Sequence, residues 1–377
     1  MKIVYYIVFF LFALGFFLAG YKLVEIFLLT PAVSPDGKTV VITGKKYYVS
    51  STGNDNLDGL SEKSALFTIQ NAIDLLQPGD GVILADGTYL QDFVTRRNGT
   101  DSKPIIITGS KKAVIKGSGK NQRIIEINHD FQILKGFTVD GLNGDNNDEK
   151  NYRDKLIYAQ GNEPLNGITG LRILDMDLKN AGGECVRIKY FAQKNEIAHN
   201  NIVGCGAYDF IFKGEGKNGE GIYIGTAPEQ IADDKNPTQD IDLSNDNWIH
   251  DNFINTQGNE CVDIKEGSSG NLVENNKCTG QKDTESAGLD SRGSGNVFRK
   301  NEVYGSKGAG IRLGGDKKSD GINNVVAENF LHDNENGGIK FQRNPQKQIC
   351  GNRFKNNKKG DLVGEYGSEN KNQETCK

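Results

Sequence analysis

Five charged residues recur at matching positions in three neighbouring segments of the chain, and their types suit acid–base chemistry on an anionic substrate. Asp263 and Lys265 lie in the first segment, Asp290 and Arg292 in the second, and Arg312 in the third. Carboxylate oxygens favour a hard cation such as calcium, and guanidinium groups bind anionic groups. A lysine can act as a general base when a neighbouring cation lowers its pKa.

The segments that carry these residues belong to a set of six that can be written one under another. The third residue of each is apolar, the fifth is apolar with one exception, and the fourth is mostly charged. Alternation with a period of two is typical of a strand with one buried face, and its recurrence is typical of a solenoid. The six segments are 184–189, 220–225, 260–265, 287–292, 309–314 and 337–342.

Asparagines form a second repeating pattern, in pairs whose members lie five residues apart. Stacked side-chain amides hydrogen-bond along such ladders. The later repeats of roughly 22 to 28 residues are too short for helical crossovers between parallel strands, so we predict an all-β chain wound as a single-stranded parallel β-helix. The pairs are Asn195/Asn200, Asn247/Asn252, Asn271/Asn276, Asn296/Asn301 and Asn324/Asn329.

The start of the chain predicts one transmembrane helix ahead of the folded body. Residues 3–29 are apolar except for Lys22 and Glu25, which is long enough to cross a bilayer. Lys2 favours a cytoplasmic N-terminus, and the alternative is a cleaved signal peptide. The body is therefore expected outside the cytoplasm, either membrane-anchored or secreted.

The predicted organisation is an anchor or signal at 1–29, a linker at 30–46, a β-helix at 47–356 and a C-terminal tail at 357–377. Apolar residues at helical spacing within 66–76 predict a short helix that caps the first coil. Polar stretches at 143–155 and 226–245 are expected as inserted loops, and a shorter insertion is expected near 281–286. A net charge of −4 with mixed signs argues against a nucleic-acid partner, and a monomer is expected.

Export permits disulfide bonds among the six cysteines. Cys350 and Cys376 are expected to pair and to hold the tail. Cys185 and Cys261 stand at the same position of their aligned segments, that is, in the same column of the alignment. They lie two coils apart, which is too far for a disulfide bond. Buried thiols are the default interpretation for the other four cysteines, and the full disulfide pairing stays open.

Motifs near the start of the body resemble the N-terminal part of pectin-lyase-like right-handed parallel β-helix proteins. They are Tyr-Tyr-Val-Ser-Ser-Thr-Gly at 47–53, Phe-x-Ile-x-x-Ala-Ile at 67–73, Pro-Gly-Asp at 78–80 and Asp-Gly-Thr-Tyr at 86–89. The resemblance implies a right-handed winding. It is specific to the fold and not to one reaction.

Stacking of coils at about 4.8 Å would make Lys265 a neighbour of Arg292 and Asp263 a neighbour of Asp290 on one exposed face. Three glutamates, Glu184, Glu220 and Glu260, share the first column. Cleavage of a uronic-acid polymer by β-elimination needs a neutralised substrate carboxylate, a base for the C-5 proton and an acid for the leaving oxygen. The patch offers residue types for each of these tasks. The three glutamates could instead have no chemical role and be solvated at a bend of the chain.

The same patch resembles the calcium-dependent alginate lyase and chondroitinase B family of polysaccharide lyases. The resemblance rests on Glu260-Cys-Val-Asp-Ile-Lys265, Gly-Leu-Asp-Ser-Arg-Gly at 288–293 and Gly-Ile-Arg312-Leu. It implies Lys265 as the general base, Arg292 as the acid-side arginine, Glu260 as a calcium ligand and Arg312 as a substrate-binding arginine. The family's second glutamate falls on Gly258 and its histidine on Gly293, so Asp263 or Glu220 would have to complete a calcium site.

Asp290, Tyr223 and Arg187, on the same face, are further candidates for binding an anionic polysaccharide. Two other classes of function stay open at this stage. One is a mannuronan C-5 epimerase or a glycoside hydrolase, for which Asp263 and Asp290 could supply the two carboxylates. The other is a non-catalytic cell-surface carbohydrate-binding or adhesin module, which would bind without turnover.

Overall fold

The computed structural model describes residues 40–214 and 217–376. The predicted membrane anchor and most of the predicted linker lie outside these residues. Among the residues described, no helix is long and apolar enough to cross a membrane. The folded unit spans Gly44–Lys377.

The described chain winds through three parallel sheets in turn, which confirms the predicted parallel β-helix. Each strand pairs with the equivalent strand of the coil before and the coil after it. Sheet 1 has 11 described strands, which are Lys46–Val49, Gly81–Leu84, Ile105–Gly109, Gln132–Lys135, Arg172–Leu174, Glu196–Ala198, Trp248–His250, Leu272–Glu274, Val297–Arg299, Val325–Ala327 and Gln348–Cys350.

The other two sheets have 10 described strands each. Sheet 2 comprises Phe93–Val94, Arg123–Ile127, Lys155–Gln160, Val186–Lys189, Ile222–Ile224, Val262–Ile264, Ala287–Ser291, Ala309–Leu313, Ile339–Phe341 and Leu362–Val363. Sheet 3 comprises Gly87–Tyr89, Ala113–Ile115, Thr138–Asp140, Asp177–Lys179, Asn201–Val203, Phe253–Asn255, Lys277–Thr279, Glu302–Tyr304, Phe330–His332 and Arg353–Lys355.

The six aligned segments of the sequence are consecutive strands of sheet 2, in the predicted register. Val262 lies opposite Leu289, and Leu289 opposite Ile311. These side chains point into the coil and are fully buried, because burial of one face of each strand is what the period-two pattern produces. The residues between them point outward and form the surface described below.

Two asparagine ladders run through the buried turns between the sheets, as the spacing predicts. In the longer ladder, the side-chain amide of Asn252 donates to Asn276 Oδ1 at 2.9 Å, and that of Asn276 donates to Asn301 Oδ1 at 3.2 Å. Each asparagine oxygen also accepts the backbone N–H of the preceding ladder residue. The ladders thus satisfy backbone groups that the tight turns would otherwise leave unpaired.

Helices are few and short in the described chain. The predicted cap is the helix Ile69–Leu75, whose N-cap is Thr68 and whose Ile69, Ala72 and Ile73 are buried against the first coil. The other helical segments are the α-helices Ala207–Phe210 and Pro228–Ile231, and the 3-10 helices Glu62–Ser64, Glu149–Asn151 and Gly367–Glu369.

All six cysteines form disulfide bonds. The expected Cys350–Cys376 bond is present, with sulfur atoms 2.01 Å apart. The expectation of free thiols for the other four is wrong, because Cys185 bonds to Cys205 and Cys261 to Cys278. Each of these bonds joins a cysteine that directly precedes a strand of sheet 2 to a cysteine that lies in, or two residues after, the next strand of sheet 3 along the chain. Comparison within one column could not reveal such a pairing.

The C-terminal segment 357–377, expected as a tail, contributes to the last coil. It supplies the strand Leu362–Val363, which pairs with Ile339–Phe341. Asn372 extends the longer asparagine ladder by accepting from the side-chain amide of Asn352 at 3.0 Å. The disulfide through Cys376 holds the segment against the strand that ends at Cys350.

Candidate functional site

A row of outward-facing polar side chains runs along sheet 2, one from each of eight successive coils. The strand register stacks them directly on one another, so the sheet brings residues far apart in sequence into contact. We call this row the charged stripe. It comprises Glu126, Tyr158, Arg187, Tyr223, Asp263, Asp290, Arg312 and Lys340.

Asp263 of the charged stripe and two glutamates beside the stripe, Glu220 and Glu260, form an acidic triad. Glu220 and Glu260 each lie two residues before a strand of sheet 2, and Asp263 lies within one. One carboxylate oxygen from each lies within 4.8 Å of the other two. These are the three residues that the sequence analysis named as calcium ligands, and the structure brings them together.

The acidic triad is buried and incompletely hydrogen-bonded. Glu220, Glu260 and Asp263 are each at most 4 % exposed. Glu260 Oε2 and Asp263 Oδ1 have no hydrogen-bond partner among the described residues, which is costly for a buried polar atom. Oxygen-only donors of this kind suit calcium, so the residues present fit such an ion.

Burial and mutual repulsion raise the pKa values of two members of the triad. Burial raises the pKa of Glu220 to about 7, and the charges of Glu184 and Asp263 add to the effect. Burial likewise raises the pKa of Glu260 well above its usual range, with Asp263 and Glu220 contributing. Carboxylates gathered in this way bind either protons or a cation.

Lys265 is held as an ammonium ion beside the triad. Its Nζ lies 2.6 Å from Asp263 Oδ2 and 4.6 Å from the centre of the Tyr223 ring. Burial alone would lower the pKa of Lys265, but Asp263, Tyr223 and Glu220 outweigh burial and raise it well above the usual value. The expectation that a neighbouring cation lowers this pKa is therefore wrong.

Arg292 and Lys265 have different ion-pair partners, although the two residues follow neighbouring strands in register. Its guanidinium binds the carboxylate of Glu266, and its Nη2 lies 2.7 Å from Asp316 Oδ1. The predicted Lys265–Arg292 pair of cations is thus replaced by two separate ion pairs. Sequence spacing could not show this, because Glu266 and Asp316 lie in turns outside the aligned segments.

Arg312 and Asp290, both predicted to bind substrate, bind one another. Arg312 Nε donates to Asp290 Oδ1 at 2.9 Å, and its Nη2 donates to Asp290 Oδ2. Arg312 Nη2 also lies 3.5 Å from Glu260 Oε1. Since Asp290 is fully buried beneath this bidentate pair, it lacks the access that a hydrolase carboxylate needs.

Arg187 and Tyr223 continue the stripe on the other side of the triad. Arg187 lies 4.0 Å from the centre of the Tyr223 ring, and its Nη1 donates to Glu184 Oε1 at 2.6 Å. Glu184 is 1 % exposed and also binds Lys155. The alternative of a solvated Glu184 is therefore wrong, and this glutamate is a buried counter-ion.

Two inserted segments cover the stripe. From 226–245, Gln230 accepts from Arg187 Nη2 at 2.6 Å. From the insertion near 281–286, the Ser286 hydroxyl donates to Glu260 and the Glu285 carbonyl accepts from Arg312. The carboxylates are consequently buried, and the predicted open patch is reduced to partly exposed side chains at Lys265, Arg312 and Arg292, which are 13 %, 13 % and 18 % exposed.

Lys189 is a buried lysine on the same face that the sequence analysis did not single out. It lies in the column of Lys265, two coils earlier, and is 2 % exposed. Burial and the nearby Arg187 lower the pKa of Lys189 to about 7. Its position in the column was visible in the sequence, but the sequence does not show the path of the insertion 226–245, whose Asp242 and Lys235 also act on this pKa.

A family model described as "Periplasmic copper-binding protein (NosD)" matches residues 218–372. This region is less than half of the chain and holds the later coils of the β-helix, including the acidic triad. No curated protein matches the chain by sequence.

Several solved structures are similar to the folded chain. An alginate lyase from Paenibacillus sp. str. FPU-7 aligns with a TM-score of 0.57 at 20 % identity, over 78 % of this chain and 96 % of that one. Pectate lyase Pel9A aligns with a TM-score of 0.56 at 14 % identity, over 85 % and 78 % of the two chains.

A glycoside hydrolase shares the architecture as well. The GH136 lacto-N-biosidase from Eubacterium ramulus aligns with a TM-score of 0.52 at 14 % identity, over 85 % of this chain and 68 % of that one. Identities this low show the fold and not the reaction. The chain therefore has the parallel β-helix fold of pectin-lyase-like proteins, on which both lyases and hydrolases are built.

Proposed function

We propose that this protein is an exported, polysaccharide lyase-like protein that acts on an anionic, uronic-acid polysaccharide by β-elimination. One observation carries the proposal. The buried acidic triad has two unpaired carboxylate oxygens and lies directly beside Lys265, Arg312 and Tyr223 on one outward face. The likeness of the fold to alginate and pectate lyases supports the substrate class.

Calcium is the cofactor that we propose for the triad, with Glu220, Glu260 and Asp263 as its protein ligands. When bound there, it would supply positive charge that neutralises a substrate carboxylate. The partly exposed Arg312 lies beside the triad, where it would bind and orient that carboxylate.

In β-elimination, a base removes the C-5 proton, the electron pair forms the C4–C5 double bond, and the C4–oxygen bond breaks. The departing oxygen then takes a proton from an acid. Lys265 is the candidate base, and it must lose its own proton before it can accept another. Arg292, fixed by Glu266 and Asp316, is the candidate on the leaving-group side.

Export is supported by two observations that are independent of the site. All six cysteines are paired, which is typical of an oxidising compartment. The family whose model matches the later coils is described as periplasmic. Membrane anchoring through residues 1–29 stays a prediction from the sequence.

The direct test is an assay of the purified protein on alginate, pectate and chondroitin sulfate, with calcium and with a chelator. The readout is the ultraviolet absorbance of the unsaturated product. We expect Lys265→Ala to lower the rate by at least about 100-fold. The matched control is Lys277→Ala, which changes a solvent-exposed lysine on sheet 3 and is expected to keep the wild-type rate.

Binding without cleavage is the second candidate function, because the raised pKa of Lys265 favours an ammonium ion over a base. It predicts that the wild-type protein retains one of these polymers on an affinity gel and releases no product. Loss of polymer binding in Arg312→Gln, with no cleavage by any variant, would establish this second function in place of the first.

A further inference from the structure

A second cluster of potential metal ligands lies on sheet 1 and is separate from the acidic triad on sheet 2. His199 follows the strand Glu196–Ala198, His250 ends the neighbouring strand Trp248–His250, and Asp251 comes next in sequence. One ligand atom from each of His199, His250 and Asp251 lies within 4.8 Å of the other two.

The ring of His250 is fixed between two carboxylates. Its Nδ1 lies 2.7 Å from Asp251 Oδ2, and its Nε2 lies 3.3 Å from Glu196 Oε1. The Trp248 ring stacks on it at 3.8 Å between centroids, and His250 is 1 % exposed. A carboxylate on the far nitrogen orients a metal-binding histidine and fixes its tautomer. Glu196 occupies that position here.

His199 and Asp251 are exposed, in contrast to His250. The His199 ring meets the His250 ring edge to face, with 5.6 Å between centroids. A transition metal holds such ligands at about 2 Å, so the ligand atoms must move closer together. Exposed side chains can do so by a change of rotamer.

We propose that His199, His250 and Asp251 bind one first-row divalent transition-metal ion, of which zinc is the test case. The metal would take the place of the proton between His250 Nδ1 and Asp251, while Glu196 keeps the hydrogen bond to Nε2. Two imidazoles and one carboxylate favour zinc, nickel or copper over calcium. No thiol competes, because every cysteine is in a disulfide.

The chain contains a matched control for this site. His332 has the same two carboxylate contacts as His250, with Nδ1 2.6 Å from Asp333 Oδ2 and Nε2 3.3 Å from Glu302 Oε1, although its side chain is more exposed. No second histidine completes that arrangement, since the remaining histidine of the four in the chain, His129, contacts Thr95. Among possible metal ligands, the two clusters therefore differ in the presence of His199.

The experiment is zinc titration of the untagged full-length protein by isothermal calorimetry, with excess calcium present to saturate the acidic triad. We expect one zinc equivalent and a rise in the unfolding temperature. His199→Ala and Asp251→Asn should each weaken binding by at least about tenfold. His332→Ala and Glu260→Gln should bind as the wild type does.

A second readout guards against indirect effects of these substitutions. Copper(II) bound to the wild-type protein should show nitrogen hyperfine coupling by electron paramagnetic resonance, and His199→Ala should lose the coupling of one nitrogen. The proposal is overturned if the wild type binds no zinc, if His199→Ala binds zinc as tightly as the wild type, or if His332→Ala loses it equally. Loss in Glu260→Gln alone would assign the binding to the acidic triad instead.

Discussion

Glutamates at the first position of the aligned segments have different pKa values because their charged neighbours differ. Glu184 lies between Arg187 and Lys155, and these cations lower its pKa although burial opposes them. Glu220, one coil later, faces Glu184 and Asp263 instead, and its pKa rises to about 7. The first is a counter-ion, whereas the second is left available for a proton or a metal ion.

Calcium affinity should consequently depend on pH near neutrality. Calcium must displace the proton from Glu220, so we expect affinity to rise at least about tenfold from about pH 6 to about pH 8. Calorimetric titration of calcium at several pH values measures this. Glu220→Gln should bind more weakly and show a smaller pH dependence over this range, because Glu260 still carries a raised pKa. Glu335→Gln, a change of the same kind at an exposed carboxylate that pairs with Lys307, should keep the wild-type pH dependence, and a flat profile in the wild type would contradict the assignment.

The stability of the calcium-free protein should fall as the pH rises. A carboxyl group whose pKa is raised in the folded state stabilises that state through its bound proton. For Glu220 this stabilisation is fully present below the ordinary value of 4.5 and is lost as the pH rises through about 7. Thermal unfolding in chelator should therefore show a falling transition temperature over this window, and saturating calcium should reduce the fall. An unchanged transition temperature would show that the pKa of Glu220 is not raised in the folded protein.

The buried pair of Asp290 and Arg312 should be sensitive to the loss of one partner. Asp290→Asn leaves the guanidinium without its buried counter-ion, and we expect a loss of about 3 to 5 kcal/mol in the free energy of unfolding. Urea denaturation measures it. The exposed pair Lys307–Glu335 is the control, because Glu335→Gln should leave the free energy of unfolding nearly unchanged. Similar losses at the two sites would contradict the role assigned to burial.

Strands and turns of this fold are set by patterns that recur from coil to coil. The asparagine ladder is the clearest case, because Asn276 exchanges hydrogen bonds with Asn252 before it and Asn301 after it. We expect Asn276→Ala to lower the free energy of unfolding by at least about 2 kcal/mol, since it leaves buried partners unpaired. The neighbouring Asn275 is exposed with φ 54°, so Asn275→Gly should be nearly neutral. Comparison of their urea midpoints is the measurement, and equal effects would refute the role of the ladder.

The sequence therefore predicted six consecutive strands of sheet 2, their register and the asparagine ladders, because each repeats with a period that a coil imposes. It also predicted that Glu220, Glu260 and Asp263 would meet, since register alone decides that. What it did not predict depends on segments without a period. Gln230, Glu266 and Ser286 lie in insertions or turns, and their contacts determine which charges are buried and where Arg292 points.

The whole molecule is a stack of coils in which each coil contacts mainly its neighbours, and the disulfide bonds act locally within that stack. Cys261 and Cys278 are 17 residues apart in sequence, and their bond links two coils in the middle of the stack. The Cys350–Cys376 bond links the last coil to the C-terminal segment. A loop of this length contributes about 3 kcal/mol in the chain-entropy description. The position of each bond should nevertheless decide which part of the molecule feels its loss.

We expect the double variant Cys261→Ala/Cys278→Ala to lower the midpoint of the main unfolding transition. The lost bond lies in the middle of the stack, with further coils before it and after it. Cys350→Ala/Cys376→Ala should instead release the C-terminal segment, since only the coil that ends at Cys350 supports it. Limited proteolysis with mass spectrometry should then show cleavage confined to the region after Gly351 in the second variant, with a smaller change in the main transition. Equal shifts of the main transition in both variants, with no terminal cleavage, would show that the described unit unfolds as one cooperative block and not coil by coil.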